Sequence, residues 1–137
     1  MGMRRKARET AMTFLFQAAA QKSLDSSAAG VPAEFWQEAK AEGDVKVFAS
    51  KILKHALENR EKIDGLIQKY ALHWKIDRIA AVDLAILRMA ISEMLFVPST
   101  PPVVVIDEAV EIAKKYSTPD SGGFVNGILD KIRQEAL

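Results

Sequence analysis

The chain has 137 residues, 49% of them apolar and 27% charged, with no cysteine. Those values fit one globular domain, residues 1–137, with a core of its own. They exclude disulfides, thiolate metal sites and a cysteine nucleophile. The formal net charge of +1 conceals an asymmetry, because residues 1–22 carry Arg4, Arg5, Lys6, Arg8 and Lys22 against Glu9 alone, a net +4. The remainder holds 14 basic and 17 acidic residues, a net −3. A basic end on a mildly acidic body points to a local anionic ligand.

In chain order, Ala7, Ala11, Phe14 and Ala18, widened by Leu15, recur at helical spacing and predict a first helix. Unpaired N–H groups make a helix start partially positive, so each cation there costs roughly 0.3–1 kcal/mol. The Arg4–Arg8 cluster therefore needs a compensating role. Residues 22–32, KSLDSSAAGVP, read as a loop, and AEFWQEAKAE after Pro32 reads as a short helix stopping at Gly43. Val45, Phe48, Ile52 and Ala56 form one apolar stripe, and Ile63, Leu66, Ile67 and Tyr70 another.

Residues 77–96, DRIAAVDLAILRMAISEMLF, are apolar in almost every direction, interrupted only by Asp77, Arg78, Asp83, Arg88, Ser92 and Glu93. Such a helix is central and buried. VPSTPP then breaks the chain. In VVVIDEAVEIAKKY the opening β-branched run is compatible with a short strand, although Val105, Ala109, Ile112 and Tyr116 keep helical spacing. STPDSGG reads as a turn, and Phe124, Ile128 and Ile132, with Val125 and Leu129, as a closing helix. The fold class is all-α, about seven helices packed around residues 79–95.

The residues offer no catalytic constellation. His55 and His73 lack a helix-spaced second ligand and read as surface or core-edge histidines. Asp107 and Glu108 are adjacent, hence point in different directions on a helix. Neither GxGxxG nor GxxxxGK[ST] occurs. The Gly122–Gly123 pair precedes a helix and reads as a turn, with anion binding there the alternative. No cofactor or metal is expected. No apolar run reaches the ~20 residues of a membrane span, and polar residues interrupt the stretch after the basic start, so a cytoplasmic protein is expected. Asp83, Arg88 and Glu93 lie on the most apolar helix, where an unpaired charge costs several kcal/mol. They serve either as internal ion pairs and caps for neighbouring helix ends or, for Asp83 and Glu93, as groups reaching a partner's groove. Arg4 and Arg8 are spaced i, i+4, and Arg5 and Arg8 i, i+3, which puts them on one face if the helix begins early. Their planar forks suit phosphate.

Three stretches, ARETAMTFLFQ, WKIDRIAAVDLAILRMAISEM and PPVVVIDEAVEIAKKYSTPDSGGFVNGILDKI, closely resemble the NusB family of bacterial transcription antitermination factors. The likeness covers the chain apart from residues 22–43. It implies an all-α fold of two packed helical bundles and a non-enzymatic role. By this resemblance the protein binds boxA, a short single-stranded RNA element in ribosomal RNA leader transcripts, together with a small-subunit ribosomal protein acting as NusE, in the RNA polymerase antitermination complex. The RNA contacts it implies are Arg4, Arg5, Lys6 and Arg8, the aromatics Tyr70 and Phe124, and Asp120. Single-stranded bases stack on aromatic faces for about 1–3 kcal/mol each. Tyr70 and Phe124 read equally well as core aromatics of amphipathic helices. Phe16 and Asp83 fall where the family meets its ribosomal-protein partner, and Glu93 joins them as a candidate partner contact. One departure is Gly123, where the family commonly has a basic residue before the phenylalanine of FVNG. The alternative reading is a helical interaction scaffold or homodimer with weakened RNA binding.

Overall fold

The computed structural model describes residues 2–24 and 30–137, so residues 25–29 of the expected loop lie outside the described residues. Seven α-helices run through the described residues: α1 Gly2–Ala20, α2 Ala33–Ala39, α3 Gly43–Glu58, α4 Arg60–Tyr70, α5 Ala81–Phe96, α6 Pro102–Tyr116 and α7 Ser121–Ala136. A single 3₁₀ turn, Ile76–Arg78, leads into α5.

Helix α5 occupies the centre, as its apolar circumference requires. Ile86, Leu87, Met89, Ala90 and Ile91 are wholly buried. Helices α1 and α3 pack on each other and on α5, while α6 and α7 pair with each other and also contact α5. Helix α4 touches both α5 and α7. Two helical groups thus share one central element. Each fully buried leucine or isoleucine in that shared core contributes about 1.5–3 kcal/mol relative to exposure.

The polar interruptions of α5 are all accounted for by neighbours. The Ser92 hydroxyl donates to the Ile52 carbonyl at 2.7 Å, tying α5 to α3. Arg88 donates through Nε and Nη2 to the two Asp64 oxygens at 2.8 and 3.0 Å, tying α5 to α4. Glu93 and Asp83 bind α1 and the α6–α7 turn respectively.

Three boundaries differ from the sequence reading. Helix α1 begins at Gly2, so the whole basic cluster is helical. The short helix ends at Ala39 rather than running on to Gly43: the capping Lys40 adopts a left-handed conformation (φ 54°), its N–H donating to the Gln37 carbonyl and that of Ala41 to the Trp36 carbonyl. This closes the last turn without glycine. The β-branched run after residue 102 is helix, not strand. Pro102 stands at the first helical position, where its fixed φ suits the start and its missing N–H is not needed. Val105 and Ile106 face the core while Val103 and Val104 stay exposed.

Candidate nucleic-acid interface

The basic start of α1 divides by direction. Arg8 points inward and is only 3% exposed. Its Nε and Nη2 each donate to a different oxygen of Glu93 at 2.7 Å, and its Nη1 lies 3.4 Å from Glu108. Glu93 is itself 0% exposed. Arg5, one turn back, forms a second fork, with Nε at 2.6 Å and Nη2 at 2.8 Å from the two oxygens of Glu108. The hydrogen bond from Arg5 holds the Glu108 carboxyl below the usual carboxylate range, and the same bond raises Arg5. Charge-assisted bidentate bonds of this kind are among the stronger ones in proteins. Two carboxylates, one from α5 and one from α6, therefore offset the cost of placing cations at the α1 N-terminus.

The sequence reading of Arg8 and Glu93 is corrected here. A guanidinium closed off by Glu93 presents no edge to an external phosphate, and a carboxylate with no exposed surface cannot line a partner's groove. Their role in this geometry is to fasten α1 to α5. Arg4 and Lys6 behave differently: both are exposed. The Arg4 guanidinium carbon sits 4.3 Å from the centre of the Phe48 ring, and Lys6 Nζ reaches the Lys40 carbonyl at 3.4 Å. Among the described residues neither forms an ion pair.

A second cluster gathers at the N-terminal end of α5. Asp83 is buried, and its two oxygens accept from Ser117 Oγ at 2.7 Å and Ser121 Oγ at 3.0 Å. The carboxylate thereby holds the α6–α7 turn against α5 through two side-chain hydroxyls. Beside it opens a groove of about 290 Å³, lined by Trp74, Arg78, Asp83, Asp120 and Phe124 among others. Trp74 is 55% exposed, Phe124 half-buried, Arg78 and Asp120 exposed. Asp120 stands before α7 without a side-chain cap bond. The groove combines aromatic faces with one cation and one open carboxylate, and such a surface can stack planar bases and grip their backbone.

Of the expected contacts, Asp83, Asp120 and Phe124 meet at this groove, and Arg5, Arg8 and Glu93 meet in the ion-pair network. Tyr70 belongs to neither. It is buried between α4 and α7, its hydroxyl 3.5 Å from Glu135, as the core-aromatic reading had it. Phe16 packs half-buried against the core. Sequence reasoning missed Trp74, Arg78 and the pairing role of Glu108. A signal existed for Trp74: in HWK it stands outside every apolar stripe, next to Lys75. None existed for Glu108, whose partner lies 103 positions away.

The profile described as the NusB family matches residues 5–134. A transcription antitermination protein NusB of Koribacter versatilis is 45% identical, over 98% of this chain and 90% of its own length. Among solved structures, T. maritima NusB superposes with a TM-score of 0.82 at 36% identity, covering 96% of this chain and 91% of that one. A chain from a complex of the antitermination factors NusB and NusE with double-stranded RNA superposes with a TM-score of 0.80 at 30% identity, covering 98% of each chain.

Proposed function

Because the chain belongs to the NusB family and is a transcription antitermination protein, not an enzyme, we propose that it binds a boxA-type single-stranded RNA together with a small-subunit ribosomal protein in the NusE role. It does so in the cytoplasm, as one unit within the RNA polymerase antitermination complex. The observation that carries this reading is the groove lined by Trp74, Phe124 and Arg78 together. Bases stack on the two rings, and Arg78 meets the backbone phosphates. Arg4 and Lys6 supply further phosphate contacts, being exposed and without ion pairs among the described residues. Arg5 contributes only in competition with Glu108, since that fork already engages it. Phe16 and Asp83 serve the protein partner, with Asp83 acting mainly by holding the α6–α7 turn in shape.

Anisotropy titrations of a labelled boxA-type oligonucleotide test the reading. Trp74→Ala removes an exposed ring, so folding should be unaffected. Affinity should fall by about 1–3 kcal/mol, roughly 5- to 150-fold, with the salt dependence unchanged. Replacing Arg4 and Lys6 by alanine should flatten the log K against log salt slope by about 1.4, roughly 0.7 per lost phosphate contact. If both variants bind like the parent, the RNA surface lies elsewhere.

A further inference from the structure

Around the start of α3, cations from three elements face solvent together. Lys40 closes α2, Lys46 and Lys51 lie on α3, and Arg4 and Lys6 approach from α1; all five are exposed. The elements are joined directly, through the contact of Lys6 with the Lys40 carbonyl and the stacking of Arg4 on Phe48. Lys46 Nζ stands 5.7 Å above the Trp36 ring. Two depressions mark this face. One, of about 530 Å³, lies between α1 and α3 and includes Arg4, Phe48 and Lys51; the other, of about 680 Å³, lies between α2 and α3 and includes Trp36, Lys40 and Lys46. Glu42 and Asp44 also line them, so four lining cations, Arg4, Lys40, Lys46 and Lys51, stand against two carboxylates. Among the described residues none of the five cations is in an ion pair.

We propose that the α2–α3 surface carrying Lys40, Lys46 and Lys51 is a second phosphate track, which takes nucleotides flanking the RNA element held by the rest of the protein. The inference rests on the RNA reading above and extends it. An anionic polymer is the occupant the charges favour, because exposed lysines outside any ion pair act as point charges that gain most from releasing a polyanion's counterions. Continuity supports the same occupant: Arg4 and Lys6 belong both to this face and to the basic start of α1, so one strand can pass from one to the other. The face opposes Arg5 and Glu9, whose partners Glu108 and Lys115 lie on α6. Its two depressions share no lining residue with the Trp74 groove.

The test compares two RNAs on the intact chain: a boxA-type core of about 12 nucleotides, and the same core extended by roughly ten nucleotides at each end. Salt dependence is measured for the parent and for the triple substitution Lys40→Gln, Lys46→Gln and Lys51→Gln, which keeps the side-chain stems. The extended RNA should show the steeper slope with the parent protein. The triple variant should lose about 2 from that slope, roughly 0.7 for each of three contacts, while binding the core as before. A control removing three lysines from other helices, Lys62→Gln, Lys69→Gln and Lys131→Gln, should leave the difference between the RNAs intact. An unchanged slope in the triple variant overturns the track and leaves the face to an acidic protein surface. Equal flattening by the control overturns it in favour of net charge. Failure of the parent to bind even the core removes the RNA reading itself, and the track with it.

Discussion

Arg8 and Glu93 meet with almost no solvent around either, their four bonding atoms paired two by two at 2.7 Å. Taking two ions out of water costs several kcal/mol each, and only near-ideal geometry with further hydrogen bonds returns it. Glu108 supplies that further acceptor for Arg8. The pair is accordingly sensitive to loss of one member. Glu93→Gln keeps the shape but leaves the guanidinium buried against a neutral amide. Denaturant unfolding should show a loss of about 3–5 kcal/mol, the range for breaking a buried pair. Replacing Arg8 and Glu93 together by methionine should cost clearly less than the single change. A loss below about 1 kcal/mol for Glu93→Gln would mean that the pair behaves as an exposed one.

At the scale of elements, the first turn of α7 shows what a helix start requires. Gly122 there contacts α6: a Cβ on it would lie 3.5 Å from Val110, ordinary contact distance. Gly123 is exposed, its φ is not left-handed, and a Cβ on it would meet nothing within 4 Å. Neither backbone strain nor crowding asks for glycine at 123, which leaves the missing cation as its consequence. Gly123→Lys should gain up to about 1 kcal/mol of helix propensity, reduced by roughly 0.3–1 kcal/mol for a cation at a helix N-terminus. The midpoint of thermal unfolding should stay level or rise slightly. Binding of boxA-type RNA should tighten, with a salt slope steeper by about 0.7. A lower melting temperature without tighter binding would show that the glycine serves the turn after all.

Across the whole molecule, the charge excess at the N-terminus is shared between folding and binding. Arg5 and Arg8 are turned inward onto acidic partners from α5 and α6, while Arg4 and Lys6 face outward beside the α2–α3 lysines. Glu108 sits at the division, accepting from Arg5 at 2.6 and 2.8 Å and from Arg8 at 3.4 Å. Releasing Arg5 from it should turn one more cation toward RNA. Glu108→Gln should tighten RNA binding and steepen the salt slope by about 0.7, and because the pair is partly exposed, stability near neutral pH should change by only about 1 kcal/mol or less. The pH dependence has a fixed sign. The folded carboxyl titrates below its unfolded value, so its contribution is present above the ordinary carboxylate range and is lost as pH falls through the lowered folded value. The Gln variant should lack that part of the acid destabilisation. Parent-like RNA binding by Glu108→Gln would mean that Arg5 remains out of reach of the RNA.

The sequence by itself determined the helices, the central place of α5 and the basic start of α1, because each is written in a local pattern: a 3.6-residue apolar period, an apolar circumference, a cluster of cations. It also carried the family likeness, in stretches long enough to be specific. Only the tertiary structure decided which charges are spent on folding. Arg8 and Arg5 carry the same local signature as Arg4, and what separates them is the direction each leaves α1 and the presence of Glu93 and Glu108 on helices far along the chain. The groove was equally illegible, since Trp74, Asp83 and Phe124 become neighbours only when three elements converge. Periodicity is a property of one segment and survives in the sequence, whereas the pairing of a buried charge depends on which segments pack together.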